Sequence, residues 1–136
     1  LPSAVEIADE LAAESDFLPI GSNDLVQYIL AVDRTNEHIA DLYMPHHPAV
    51  LRALKRIVDA AVRHGTPVSL CGAIAADRLL LPFLLGIGLR TVSVEVSQIP
   101  QVHDWVAQLD LREEGRRSAR VLRLGRIKEV EQALAR

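Results

Sequence analysis

The stretch IGSNDLVQYILAVDR, residues 20–34, changes its hydrophobic period in the middle. The apolar run Phe17 to Gly21 reads as a short strand. Leu25, Tyr28, Ile29 and Val32 then recur at spacings of three and four, the period of a helix from Asp24 to Val32. Between the two lie Ser22, Asn23 and Asp24. Asp24 can cap the helix, with Gln27 three residues on as its capping-box partner. The same three polar residues can instead form a ligand site at the carboxyl end of a strand, where parallel α/β folds place their reactive groups. The two readings are compatible.

The same unit recurs along the chain. Upstream, Ala4 to Glu14 reads as a helix with Val5, Ala8, Leu11 and Ala12 on one face. Downstream, His47-Pro48 opens the clearest helix, because proline suits a first turn whose N–H groups have no partner. Its stripe is Val50, Leu51, Leu54, Ile57, Val58, Ala61 and Val62, and Gly65 supplies a left-handed stop. Pro67 to Cys71 is a second strand, followed by a short helix from Ala75 to Leu85 that closes near Gly86 and Gly88. Thr91 to Val96 is a third strand, followed by a helix from Ile99 to Leu109. Leu111 to Arg117 reads as a charged connection and Ser118 to Arg136 as mainly helical. One helix and then three strand–helix units predict an α/β fold with parallel strands. Three short strands are few for a free-standing parallel sheet, so the expectation is an arc of a larger barrel.

Composition narrows the function classes. Of 136 residues, 49% are apolar and 24% charged, which is ordinary globular composition. A net charge of −3 gives no overall basic field, so no nucleic-acid partner is expected. The longest apolar run, Leu79 to Leu85, contains Pro82 and falls far short of the ~20 residues of a membrane span. The single Cys71 excludes an internal disulfide and fits a reducing, cytoplasmic compartment. The chain starts at Leu1 rather than Met, and is expected to be a piece of a longer one.

Three strand ends can carry chemistry: Gly21 to Asp24, Cys71 to Ala73, and Glu95 to Ser97. An Asp beside an Asn can hold a hard cation and a phosphate oxygen, a rim thiol can donate a proton, and an Arg can clamp a phosphate. Read singly, each has a plainer role. Cys71 alone is a small buried hydrophobe, Asp33-Arg34 a solvated helix end, and His46-His47 a turn and cap. Trp105 with Val102, Val106 and Leu109 is a core or interface stripe, and Arg112 to Arg120 a solvated surface of mixed sign.

Taken together the motifs say more. GSNDLVQYILAVDRTNE, then LY, HPAVL, VSLCG and GIG, resemble the phosphoenolpyruvate-binding barrel of Enzyme I of the bacterial sugar phosphotransferase system. The resemblance runs from Pro2 to about Asp110 and is weaker beyond. It implies the C-terminal arc of a TIM barrel that binds phosphoenolpyruvate and Mg²⁺. The phosphoryl group would pass to a histidine on a separate domain, then to a histidine phosphocarrier protein. It further implies that Asn23 binds substrate, Asp24 ligates Mg²⁺, Arg34 clamps the phosphate and Cys71 protonates enolpyruvate to pyruvate. A homodimer is the implied assembly.

The sequence departs from the family pattern in three ways. The Glu expected just before Leu1 as a second Mg²⁺ ligand lies outside the chain, as do the earlier arginines and the phospho-accepting histidine. Ala73 stands where the family has Glu after the Cys-Gly pair, and Glu95 where it often has Ser or Asn. A non-catalytic binding or dimerisation module derived from the barrel is therefore the alternative expectation.

Overall fold

The structure is a computed structural model that describes residues 1–135. It begins with two short helices, α1 (Pro2–Glu6) and α2 (Ala8–Glu14). The sequence reads them as one helix, but Ile7 leaves helical geometry at φ −111°, ψ 31°. The break turns Val5 toward the main core, while Ala8 and Ala12 pack with Ala60.

Strand β1 (Leu18–Gly21) leads into α3 (Ser22–Leu30). A loop carries the chain to α4 (Pro48–His64), which is followed by β2 (Val68–Cys71). After a 3-10 turn at Ala73–Ala76 come α5 (Leu80–Gly86) and β3 (Thr91–Ser93). Three further helices close the described chain: α6 (Ile99–Ala107), α7 (Leu111–Val121) and α8 (Ile127–Leu134).

The sheet order is β1-β2-β3, and both pairings are parallel, as the strand–helix alternation predicts. Ile20, Leu70 and Val92 lie in register on one face. That face meets a core containing Val26, Val50, Leu54, Val58, Phe83 and Leu84. The other face carries Pro19, Gly21, Ser69, Cys71, Thr91 and Ser93, small or polar residues with no helix layer over them. Parallel strands with helices on one face have the layout of a barrel arc, with the bare face in the position of the barrel interior.

Several boundaries differ from the sequence reading, each for a local reason. Asp24 is not the cap of α3, because the helix already starts at Ser22 and Gly21 is its N-cap. Asp24 thus stands in the first turn, where a carboxylate favours the positive end of the helix. The helix ends at Leu30 because Ala31 adopts the left-handed conformation, φ 53°. The Ala75 to Leu85 helix is interrupted at Asp77, whose Oδ1 accepts from the N–H groups of Leu79 and Leu80 and restarts the helix there. Strand β3 stops at Ser93 because β2 ends at Cys71, where Gly72 turns away at φ 101°.

The largest difference is at Leu111 to Arg117, which is helical rather than a connection. Asp110 Oδ1 accepts from the N–H groups of Arg112 and Glu113, so Asp110 and Glu113 carry the N-cap spacing that the charge run conceals. The chain leaves helix geometry between Val121 and Ile127. Arg117 then fastens α8 by donating to the carbonyls of Ala133 and Leu134. Among the described residues no helix is long and apolar enough to cross a membrane.

Candidate functional site

The carboxyl ends of β1 and β2 lie side by side, with Gly21 in register with Cys71. Parallel pairing therefore brings together two motifs 50 residues apart in the chain. Side chains then lock the two corners. Ser22 Oγ donates to the carbonyl of Cys71 at 2.7 Å, the main-chain N–H of Ala73 donates to Asn23 Oδ1 at 3.0 Å, and Cys71 Sγ lies 3.6 Å from the carbonyl of Ile20.

These bonds define what each side chain can still do. Asn23 Oδ1 is occupied by a main-chain donor, which orients the amide and leaves its NH₂ for an anionic group. Asp24 is exposed on the first turn of α3. Cys71 is exposed on the bare face of the sheet, contrary to the buried-hydrophobe reading. The main-chain conformation of Gly72, φ 101°, ψ −178°, is one that glycine alone adopts readily. A Cβ there would collide with Ser22 Oγ and lie 2.9 Å from Asn23 Oδ1. Gly72 is therefore required both by its own backbone and by its neighbours.

Arg34 belongs to the excursion between α3 and α4. Asp33 organises its start, accepting at Oδ1 from the N–H of Thr35 at 2.8 Å and from its hydroxyl at 2.7 Å. Those hydrogen bonds, with a smaller contribution from the Arg34 charge, hold the Asp33 carboxyl below its usual range. The excursion returns at Tyr43, whose hydroxyl donates to the carbonyl of Asn23 at 3.3 Å. Burial pushes the Tyr43 phenol up. The charge of Arg34 opposes that shift and the charge of Asp24 adds to it. Tyr43 thus ties the Arg34 excursion to the Asn23-Asp24 corner. The sequence reading noted Leu42-Tyr43 only as part of a family motif, and the contact with Asn23, 20 residues away, has no local signal.

The remaining candidates sit elsewhere. His47 caps α4, its Nδ1 accepting from the N–H of Ala49 at 3.1 Å, in line with the turn-and-cap reading. His46 Nε2 lies 2.9 Å from Glu131 Oε1 on α8. That contact pairs a charge with a ring whose N–H is not aligned for a hydrogen bond. Glu95 is exposed just beyond β3. Val102 is buried beside Leu81 and Leu85, with Trp105 and Leu109 packed partly against them, whereas Val106 is exposed.

Among the described residues no group of three or more His, Cys, Asp or Glu side chains is placed to hold a metal ion. Mg²⁺ nevertheless keeps several waters and is bound through one or two carboxylates together with substrate phosphates. A solvent-facing Asp24 beside a free Asn23 amide suits one ligand of such a site, though not the whole of it.

Comparison with known proteins identifies the family. Residues 1–111 match the family described as PEP-utilising enzyme, PEP-binding domain. The chain is 42% identical over 130 residues to the phosphoenolpyruvate-protein phosphotransferase of Bacillus sp. (strain S), covering 96% of this chain and 22% of that protein. It is equally similar, 42% over 130 residues, to the protein of the same name from Geobacillus stearothermophilus. Identity to the one from Bacillus subtilis (strain 168) is 38% over the same length. The chain thus spans about 22% of the length of the curated relatives it matches. With a family match over most of its length and the parallel strand ends those motifs occupy, the chain belongs to the PEP-utilising enzyme, PEP-binding domain family.

Proposed function

We propose that this chain is the C-terminal portion of a phosphoenolpyruvate-binding barrel, working within a longer phosphoenolpyruvate-protein phosphotransferase. The N-terminal strands of the barrel and the phosphohistidine domain belong to other parts of that protein. The observation that carries the reading is the interlock of the Asn23 and Cys71 corners at one rim. The names of relatives about 40% identical agree with it.

In this reading the free NH₂ of Asn23 donates to the anionic substrate, and Arg34 clamps its phosphate. Asp24 holds Mg²⁺, which when bound there neutralises charge on the phosphate oxygens. The phosphoryl group leaves phosphoenolpyruvate for a histidine nitrogen, and the electrons of the broken P–O bond stay on enolpyruvate. The Cys71 thiol then gives its proton to the methylene carbon, forming the methyl group of pyruvate, and solvent reprotonates the thiolate. The product histidine would serve a histidine phosphocarrier protein, and the assembly would be a cytoplasmic homodimer.

Single-turnover phosphorylation of the full-length protein from phosphoenolpyruvate tests the roles. Asp24→Ala is expected to lose the phosphoryl step by ~10²–10³-fold, since it removes an electrostatic contact to moving charge. Cys71→Ala keeps that step and loses pyruvate formation. The opposite pattern refutes the assignment. The second reading, a non-catalytic module, is favoured by Ala73 and Glu95. Absence of phosphorylation in the unaltered protein would support it.

A further inference from the structure

Ser22 is 1% exposed, one of the few buried polar residues among those described. It opens α3, yet its hydroxyl makes no cap to that helix. Oγ donates instead across the sheet to the carbonyl of Cys71, at 2.7 Å. Where β1 turns into α3 the ladder runs out of strand donors for β2, and the serine hydroxyl supplies one.

The next residue, Asn23, receives the N–H of Ala73. Consecutive residues of the first corner therefore grip the two residues that flank Gly72 in the second. Gly72 lies so close beneath them that no side chain fits there. A cysteine sulfur is separated from the main chain by a single torsion. Holding the carbonyl of Cys71 and the N–H of Ala73 therefore fixes the Cα–Cβ direction from which the thiol reaches the open face.

We propose that Ser22 is the positioning residue of the Cys71 thiol, acting through its hydroxyl on the Cys71 carbonyl. This rests on the reading of Cys71 as proton donor. The hydroxyl touches neither substrate nor sulfur. It serves the carbon-protonation step more than the phosphoryl step, because its hydrogen bond is made to the residue that carries the thiol, whereas Arg34 would reach the phosphate from a separate excursion.

Two measurements test the proposal. In the full-length protein, Ser22→Ala should accelerate hydrogen exchange of the Ala73 amide and shift the rate of Cys71 alkylation by iodoacetamide several-fold. Ser22→Thr, which keeps the hydroxyl, should restore both. In the full-length protein Ser22→Ala should slow pyruvate formation by up to ~10²-fold, the size expected of a misplaced reacting group, with a much smaller change in histidine phosphorylation. If Ser22→Ala fails to fold, Ser22→Val against Ser22→Thr compares the same shape with and without the donor. Unchanged exchange and alkylation in a folded Ser22→Ala protein, equal loss of both steps, or no rescue by Ser22→Thr would overturn the proposal. An unaltered protein that forms no phosphohistidine would refute the phosphotransferase reading alone, and the exchange and alkylation rates would still decide what Ser22 does.

Discussion

Asn23 commits one end of its amide to the protein and leaves the other free. With Oδ1 held by the Ala73 N–H, the NH₂ is the end of the amide without a protein partner among the described residues, so the residue offers donors toward a ligand. This makes an anionic partner the chemically consistent one. Arg34 would meet the same anion from the excursion that Tyr43 pins down. Its guanidinium is a planar fork with several donors, whereas lysine is a point charge. Arg34→Lys is therefore expected to lower kcat/KM for phosphoenolpyruvate by ~10-fold or more, measured by steady-state phosphorylation in the full-length protein. A lysine variant as active as the arginine would remove Arg34 from the site. Ser22, Asn23, Asp24 and Cys71 are legible as candidates because they fall where an apolar run gives way to small polar residues. The way they bond to one another is not legible, since every such contact spans about 50 residues.

At the scale of elements, the contact between α5 and α7 shows why a charged segment is a helix. Helix α7 is poor in apolar residues, and Gly115 in its middle argues locally against helix. Its small residues instead permit a close approach. Ser118 Oγ donates to the carbonyl of Phe83 at 3.2 Å, and a Cβ on Gly86 would run into Ser118 and the Glu114 carbonyl. A Cβ on Gly115 would meet only the Gly86 carbonyl, at 3.7 Å, an ordinary contact. Two glycines facing each other should thus respond oppositely. Gly86→Ala should destabilise by about 1–3 kcal/mol through overpacking. Gly115→Ala should be neutral or stabilising by up to ~1 kcal/mol, the gain from replacing glycine inside a helix. Urea unfolding of the two variants measures this, and equal destabilisation would show that the packing of α5 on α7 is misread.

At the scale of the molecule, ion pairs tie the N-terminal helices to α4 and leave the sheet open on its other side. Arg56 meets Glu6 at 2.7 Å, and Arg63 meets Asp9 at 2.6 Å. The hydrogen bond from Arg63, aided by its charge and by His64, holds the Asp9 carboxyl below its ordinary value of 3.8. A carboxylate with a depressed pKa in the folded state adds stability above the unfolded value. That contribution is lost as pH falls through the folded value, because the unfolded chain binds the proton first. Urea midpoints taken downward from about pH 6 should fall more steeply for the unaltered chain than for Asp9→Asn once pH drops below ~4. Parallel curves would show that the pair adds nothing measurable, the usual outcome for a fully exposed bridge. The sheet poses the larger problem. Strands β1 and β3 each have one unpaired edge among the described residues, and the face bearing Cys71 has no covering layer. Phe17, Val62 and Val96 are also exposed. Open edges invite further strand pairing. Sedimentation equilibrium of this chain alone should therefore show self-association, and a monodisperse monomer with cooperative unfolding would refute that.

Local pattern was enough to place the three strands and the helices that follow them, and the Pro48 start and Gly65 stop of α4. Each of these depends on interactions within a few residues: the period of burial, a cap, a left-handed glycine. Tertiary structure alone decided that β3 stops where β2 bends away, that the glycine-bearing charged run packs as α7 on α5, and that no side chain fits at Gly72 because Ser22 and Asn23 stand over it. It also decided which end of Asn23 remains free. Those outcomes turn on contacts between chain segments distant in sequence, and hydrophobic periodicity carries no information about which distant atom will be 3 Å away.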